Sequence, residues 1–175
     1  MPQMEEKCEH TKRRVRWTVD MIASPLALTT VLYFLLSMTG CYTESMNTVE
    51  QVTFVNLDKG FTSGLHERKF LVIQTADEWK ELWSSHLSGS TPQKALPPVD
   101  FKTEMVVAAF LGEKMTGGYT INITKIEENR PKSTLIVTIR VGEPPADAIV
   151  TQVLTQPFHI VKLKKVNLPA TFMFE

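Results

Sequence analysis

Three histidines follow position 41, and histidine is the side chain that most often carries acid–base or metal chemistry. His66, His86 and His159 lie far apart in the sequence, and none has a second ligand three to five residues away, as zinc sites usually do. The glycines and lysine of 112–118 lack the spacing of a phosphate-binding loop, and no serine has the context of a nucleophile elbow. The sequence therefore predicts no catalytic site, no metal and no cofactor, with a spatial cluster of the histidines as the alternative.

The sequence supports a more specific expectation for His159, because this residue follows Phe158 in a stretch where apolar and polar residues alternate. Such alternation is typical of a strand. We expect His159 to be a strand residue whose ring hydrogen-bonds a backbone group.

Cys41 is the residue whose surroundings predict a definite chemistry. A basic segment at 12–16 precedes an uncharged, mostly apolar run from Met21 to Met38, which is the layout of a secretory signal. The stretch 36–41, Leu-Ser-Met-Thr-Gly-Cys, resembles the bacterial lipobox, although Met38 replaces the usual Leu. That resemblance implies a lipoprotein signal peptide over 1–40, cleavage before Cys41, and lipidation of the Cys41 thiol.

The predicted location is the cell envelope, with the chain held on a membrane through lipid on Cys41. Tyr42 after the cysteine resembles an outer-membrane address in Gram-negative cells. The alternative is an uncleaved, single-pass N-terminal membrane anchor, since the apolar run is nearly long enough to span a bilayer.

The rest of the chain has the composition of one ordinary domain. From Cys41 onward, 14 Lys and Arg oppose 15 Asp and Glu, a net charge of −1, so nucleic acid is not an expected partner. Cys8 lies in the removed segment, which leaves no disulfide. Residues 41–51 are polar and predict a tether, and 52–175 predict a folded α+β domain.

A central strand is predicted at Val106–Leu111, whose unbroken apolar run fits burial on both faces. After a turn at Gly117-Gly118, the alternation of Tyr119, Ile121 and Ile123 predicts a second strand returning beside the first. Further apolar or alternating stretches, including 150–154, bring the total to about seven strands. The predicted fold is a mostly antiparallel sheet with one main helix packed on it.

That helix is predicted after Thr75, which forms a capping box with Glu78. Apolar side chains then recur at helical spacing, and we expect Trp79 and Trp83 to be buried against the sheet.

Several segments together resemble the C-terminal domain of PrcB, a protease-complex subunit family. The motifs are Leu-Pro-Pro-Val-Asp-Phe at 96–101, Thr-Gly-Gly-Tyr at 116–119, Pro144-Pro145, and Leu-Thr-Gln-Pro-Phe-His-Ile-Val at 154–161. The resemblance covers roughly Gly60 to Phe174. It implies an exported protein, often a lipoprotein, with a non-catalytic accessory or binding role and a protein partner that in some members is a protease.

Two function classes follow from these observations. The first is a lipid-anchored accessory module that binds another envelope protein, and the second is a small-ligand carrier or sensor with a pocket between helix and sheet. An enzyme is a distant third. The candidate binding residues lie in two loops: Lys114, Met115, Gly117, Gly118, Tyr119, Pro144 and Pro145. The alternative for this site is that the two glycines only satisfy turn geometry and that Tyr119 belongs to the core.

Overall fold

The computed structural model describes residues 49–88 and 94–175. Four sequence predictions lie outside the described residues: the signal peptide, the alternative membrane anchor, the lipidation site Cys41 and most of the tether. Within the two described ranges, no helix is both long and apolar enough to cross a membrane.

Eight strands and one helix make up the described part of the chain. In chain order they are β1 (Val49–Gln51), β2 (Phe54–Gly60), β3 (Arg68–Ile73), α1 (Ala76–His86), β4 (Glu104–Leu111), β5 (Thr120–Asn129), β6 (Thr134–Gly142), β7 (Phe158–Lys164) and β8 (Ala170–Phe174). The end of the predicted tether is therefore a strand, since Val49–Gln51 pairs with the end of β5.

The strands form two four-stranded sheets and not the single sheet of about seven strands that the sequence predicted. The first sheet has the order β1-β5-β6-β8, and the second has the order β2-β7-β4-β3. Neighbouring strands are antiparallel except β6 and β8, which are parallel. The expected single main helix and the mostly antiparallel pairing are confirmed, and the prediction of a single sheet was wrong.

β4 lies at the centre of the second sheet and is buried on both faces, as its unbroken apolar run predicted. Alternate residues from Met105 to Leu111 face the first sheet, where they meet Ile123, Val137 and other inward-facing side chains. The residues between them, such as Ala108 and Phe110, pack under the helix. The domain thus has three layers: first sheet, second sheet and helix.

The strand after the glycine turn does not return beside β4. The neighbours of β4 are β3 and β7, and β5 crosses to the first sheet, where it pairs with β1 and β6. The alternation of Ile121 and Ile123 supplies one buried face, and in the structure that face covers the inner side of β4 from the opposite sheet. The expected short strand at 150–154 is also absent, because this segment has no strand pairing.

The helix forms as predicted. The Thr75 hydroxyl accepts a hydrogen bond from the Glu78 amide, and the Glu78 carboxylate accepts one from the Thr75 amide. Trp79 is 2% exposed and Trp83 is 6% exposed, which confirms their predicted burial. Their indole N–H groups donate to the carbonyls of Pro97 and Lys94, so the loop after the helix is held over it.

Candidate binding surface

The two loops singled out in the sequence meet in the structure. Gly118 has φ +90°, and a Cβ at this position would lie 2.8 Å from the Pro144 side chain and 3.3 Å from that of Val150. A residue with a side chain would therefore be strained in its backbone and would also collide with Pro144. Close packing at Gly118 brings 113–119 against 143–150.

A short β-bridge continues this contact along the chain. The Lys114 amide donates to the Thr155 carbonyl at 2.8 Å, and the Thr155 amide donates back at 2.9 Å. The Gly117 amide donates to the Thr151 carbonyl, and the Thr155 hydroxyl donates to the carbonyl of Thr116. Residues 114–117 consequently run alongside 151–155 and are fixed by backbone hydrogen bonds.

The base of the first loop is held by a carboxylate with two donors. Glu113 Oε2 lies 2.6 Å from His66 Nδ1 and accepts a hydrogen bond from Gln156 Nε2 at 3.0 Å. The bond from His66, followed by that from Gln156, lowers the pKa of Glu113. The Glu113 amide also donates to the His66 carbonyl, so the loop leaves β4 in a defined direction.

Large apolar side chains project from these paired segments into solvent. We call the following set the exposed patch: Met115, Ile149, Val153 and Leu154. Met115 is 76% exposed, Ile149 is fully exposed, and the other two are about half exposed. The pairing of 114–117 with 151–155 places Met115 beside the segment that carries Val153 and Leu154.

Some of the predicted site residues pack inside the two loops, and others are exposed on the surface. Gly117 is buried, and Tyr119 packs against the core with the Lys114 ammonium 5.0 Å from its ring centroid. Met115 and Pro145 are exposed, whereas Lys114 and Pro144 are partly buried.

Sequence reasoning missed Val153 and Leu154 because the stretch 150–154 was interpreted as a strand, and it missed Ile149, just before that stretch, because no role was predicted for it. The signal that could have found them is the absence of strict alternation in a segment that follows two prolines. The apolar side chains of such a segment do not all point to one face, so they cannot all be buried against the core.

The other histidines are held by structural contacts. His159 Nδ1 accepts the Ile123 amide at 2.8 Å, and His159 Nε2 lies 2.8 Å from Asn56 Oδ1. The predicted backbone partner of His159 is thus confirmed, and it joins β7 to β5 of the other sheet. Burial, together with the nearby Lys59 charge, lowers the pKa of His159 to about 4.

His86 forms a hydrogen-bonded chain with the residue types of a catalytic triad. Its Nδ1 lies 2.9 Å from the Ser63 hydroxyl, and its Nε2 lies 3.4 Å from a carboxylate oxygen of Asp58. Ser63 is 4% exposed and His86 is 1% exposed, and the Ser63 oxygen already accepts the Leu65 amide. A nucleophile must reach its substrate, so this arrangement works as a buried link between the 61–65 loop and the helix.

No group of three or more potential metal ligands occurs within 49–88 and 94–175. The interface between helix and sheet, where a ligand pocket was considered, is filled by Trp79, Trp83 and Phe110. A groove of about 240 Å³ remains at its margin, next to β3.

Residues 105–164 match the family model described as PrcB C-terminal, which confirms the resemblance seen in the sequence. The matched segment runs from β4 to the end of β7 and contains both loops that meet at Gly118. No curated protein and no solved structure matches the chain.

Proposed function

We propose, from the match of residues 105–164 to the PrcB C-terminal family, that this chain is a non-catalytic accessory module that binds a protein partner through the exposed patch. In this proposal lipid on Cys41 holds the module at the membrane of the cell envelope, and the partner belongs to a surface protease complex. The observation that carries the binding role is the group of exposed apolar side chains at Met115, Ile149, Val153 and Leu154.

Exposure of these four side chains is costly for a free monomer. Burying apolar surface contributes about 25 cal/mol per Å², and clustered apolar patches on soluble proteins often mark interaction sites. Methionine is among the residue types enriched at interfaces. A partner that covered the patch would recover this free energy.

The fixed backbone of the two paired segments, 114–117 and 151–155, favours tight binding for a second reason. Association costs free energy when it orders flexible segments. Here the bridge between Lys114 and Thr155 and the two prolines at 144–145 already fix the backbone. Little further ordering is needed beyond that of the side chains.

The test is capture of a partner from membranes, with partners identified by mass, using a tagged full chain. Met115→Ala combined with Leu154→Ala should reduce capture about tenfold or more, since interface truncations that matter each cost about 1 kcal/mol or more. The matched control is Met173→Ala, because Met173 is 51% exposed on β8, outside the patch. Equal capture by the double variant and the control would exclude the patch as the contact surface.

A small-ligand carrier is the second candidate, and a cavity of about 340 Å³ between β2 and β5 favours it. Its lining includes Phe61, Ile121 and Phe158, and Asn122, whose Oδ1 has no hydrogen-bond partner among the described residues. Pockets of this size with a few polar groups are typical ligand sites. Native mass spectrometry of the chain extracted from its host would reveal a retained small molecule, and Phe61→Ala should release it.

A further inference from the structure

The outer edge of β3 carries main-chain groups that no other described element pairs with. Within 49–88 and 94–175, β3 is the last strand of the second sheet and pairs only with β4. The Leu111 amide donates to the Pro157 carbonyl, on the β7 side of β4. Since groups alternate along a strand, the odd-numbered residues of β4 bond towards β7 and the even-numbered residues bond towards β3.

The register then shows which groups of β3 point away from the sheet. Lys69 and Leu71 stand opposite even-numbered residues of β4 and are bonded to them. The N–H and C=O groups of Arg68, Phe70 and Val72 must therefore face the outer edge. These are donors and acceptors repeated at every second residue, the pattern to which another strand pairs.

A groove runs beside this edge, on the face that carries the helix. It has a volume of about 240 Å³ and an apolar lining that includes Leu65, Leu71 and Leu82. Two carboxylates of the helix, Glu78 and Glu81, also line it, together with Lys69 of β3. The Glu78 carboxylate accepts amide hydrogen bonds in the capping box, whereas Glu81 has no ion-pair partner among the described residues.

We propose that the β3 edge and this groove bind an extended segment of a partner protein as an added antiparallel strand. Main-chain hydrogen bonds would supply affinity, and alternate side chains would supply specificity. An aliphatic side chain fits the apolar lining of the groove, and a lysine or arginine two positions away on the same face meets Glu81. This inference goes beyond the proposed function, because it concerns an unfolded segment and a surface distinct from the exposed patch.

Two charges favour a different chain over a second copy of this one. Arg68 and Lys69 are exposed on the edge strand, and positive charges on edge strands oppose self-pairing. In an antiparallel dimer through β3, Arg68 and Lys69 of both copies would lie close together along one short stretch of paired strands. A partner segment with its own sequence avoids that repulsion.

The first experiment measures amide exchange in the full chain, purified in detergent, by NMR. The probe is the peptide acetyl-Thr-Val-Thr-Leu-Thr-Lys-Thr-amide, which places Val, Leu and Lys on one face of a strand. The amides of Arg68, Phe70 and Val72 should exchange fast in the free chain and at least tenfold more slowly with the peptide bound. The Leu71 amide, already bonded to β4, is the internal control. No binding up to about 1 mM, the limit of weak complexes, would overturn the proposal.

Slow exchange of the three outward amides in the free chain would also overturn it, because the edge would already be covered. If that protection rises with protein concentration, the occupant is a second copy. Protection that is independent of concentration would mean that the chain covers its own edge.

A second experiment separates strand pairing from simple contact with the groove. In an antiparallel complex the threonine amides of the peptide face β3, and those of Val, Leu and Lys face solvent. N-methylation of the threonine amides should weaken binding at least tenfold, since each lost hydrogen bond costs about 1 kcal/mol. N-methylation of the other set should leave binding nearly unchanged. If the two N-methylated peptides bind with equal affinity, the peptide does not pair with β3 through its main chain.

The charge contact has its own matched pair of variants. Glu81→Lys should weaken binding of the lysine peptide about two- to fivefold, the range for an exposed ion pair, and should favour a peptide with Glu in place of Lys. Asp77→Lys makes the same charge change on the same helix outside the groove, and should leave both affinities unchanged. Equal effects of the two variants would refute the contact with Glu81.

Discussion

Replacement of His159 should show how much a buried, neutral histidine contributes to joining the two sheets. Its Nδ1 accepts the Ile123 amide, and protonation would turn this acceptor into a donor. Burial lowers its pKa to about 4, below the ordinary histidine value of 6.5. The unfolded chain therefore binds more protons than the folded chain between these values. The stability that neutral His159 supplies is fully present above about pH 6.5 and is lost as the pH falls towards 4.

The size of this loss of stability follows from the pKa shift of His159. One pKa unit corresponds to about 1.36 kcal/mol, so the loss is about 2 kcal/mol at pH 5 and about 3 kcal/mol at pH 4. His86 contributes a loss of the same sign, because burial also lowers its pKa. His159 must therefore be isolated by comparing wild type with a variant that cannot titrate at that position.

His159→Asn is the informative variant, because its Oδ1 can occupy the place of Nδ1 and accept the Ile123 amide. His159→Leu is the matched control that removes the acceptor, and it should cost about 1–3 kcal/mol more than the Asn variant at pH 7. Urea unfolding of the chain from Tyr42 onward, followed by tryptophan fluorescence, gives the free energies at pH 7, 6 and 5. The gap between wild type and His159→Asn should narrow by about 2 kcal/mol from pH 7 to pH 5. A gap that stays constant would show that folding does not shift the pKa of His159.

Three further predictions concern the anchor, the helix and the loop frame. Cys41→Ala should abolish incorporation of labelled fatty acid in a lipoprotein-processing host, and no label in the wild-type chain would refute the lipoprotein assignment. Trp83→Ala should cost about 3–5 kcal/mol, with Trp83→Phe much milder; urea unfolding followed by circular dichroism measures both, and a loss below about 1 kcal/mol would contradict the burial of Trp83. Gly118→Ala should lower the free energy of unfolding by about 1–3 kcal/mol because of its positive φ and the nearby Pro144, and a neutral effect would contradict that geometry.

Much of the local structure could be predicted because it depends on nearby residues. The capping box at Thr75 and the buried face of α1 follow from spacing within one helix, and the apolar run of β4 predicts burial on both faces. The pairing of strands could not be predicted in the same way. The alternation of Ile121 and Ile123 requires one buried face, but a face on the same sheet and a face on an opposing sheet satisfy it equally. The parallel pairing of β6 with β8 likewise depends on the path of the chain between them.

The candidate loop combines residues that satisfy the structural alternative with one exposed residue that this alternative does not account for. Gly118 needs its positive φ and its contact with Pro144, and Tyr119 packs on the core, so these residues satisfy the structural alternative. Met115 lies in the same loop, yet it is 76% exposed and makes no contribution to the core. A rigid frame and an exposed apolar side chain are complementary requirements for a contact surface, because the frame lowers the ordering cost and the side chain supplies the buried area. Substitutions at Gly118 should therefore lower the melting temperature, whereas Met115→Ala should weaken partner capture and leave the melting temperature nearly unchanged.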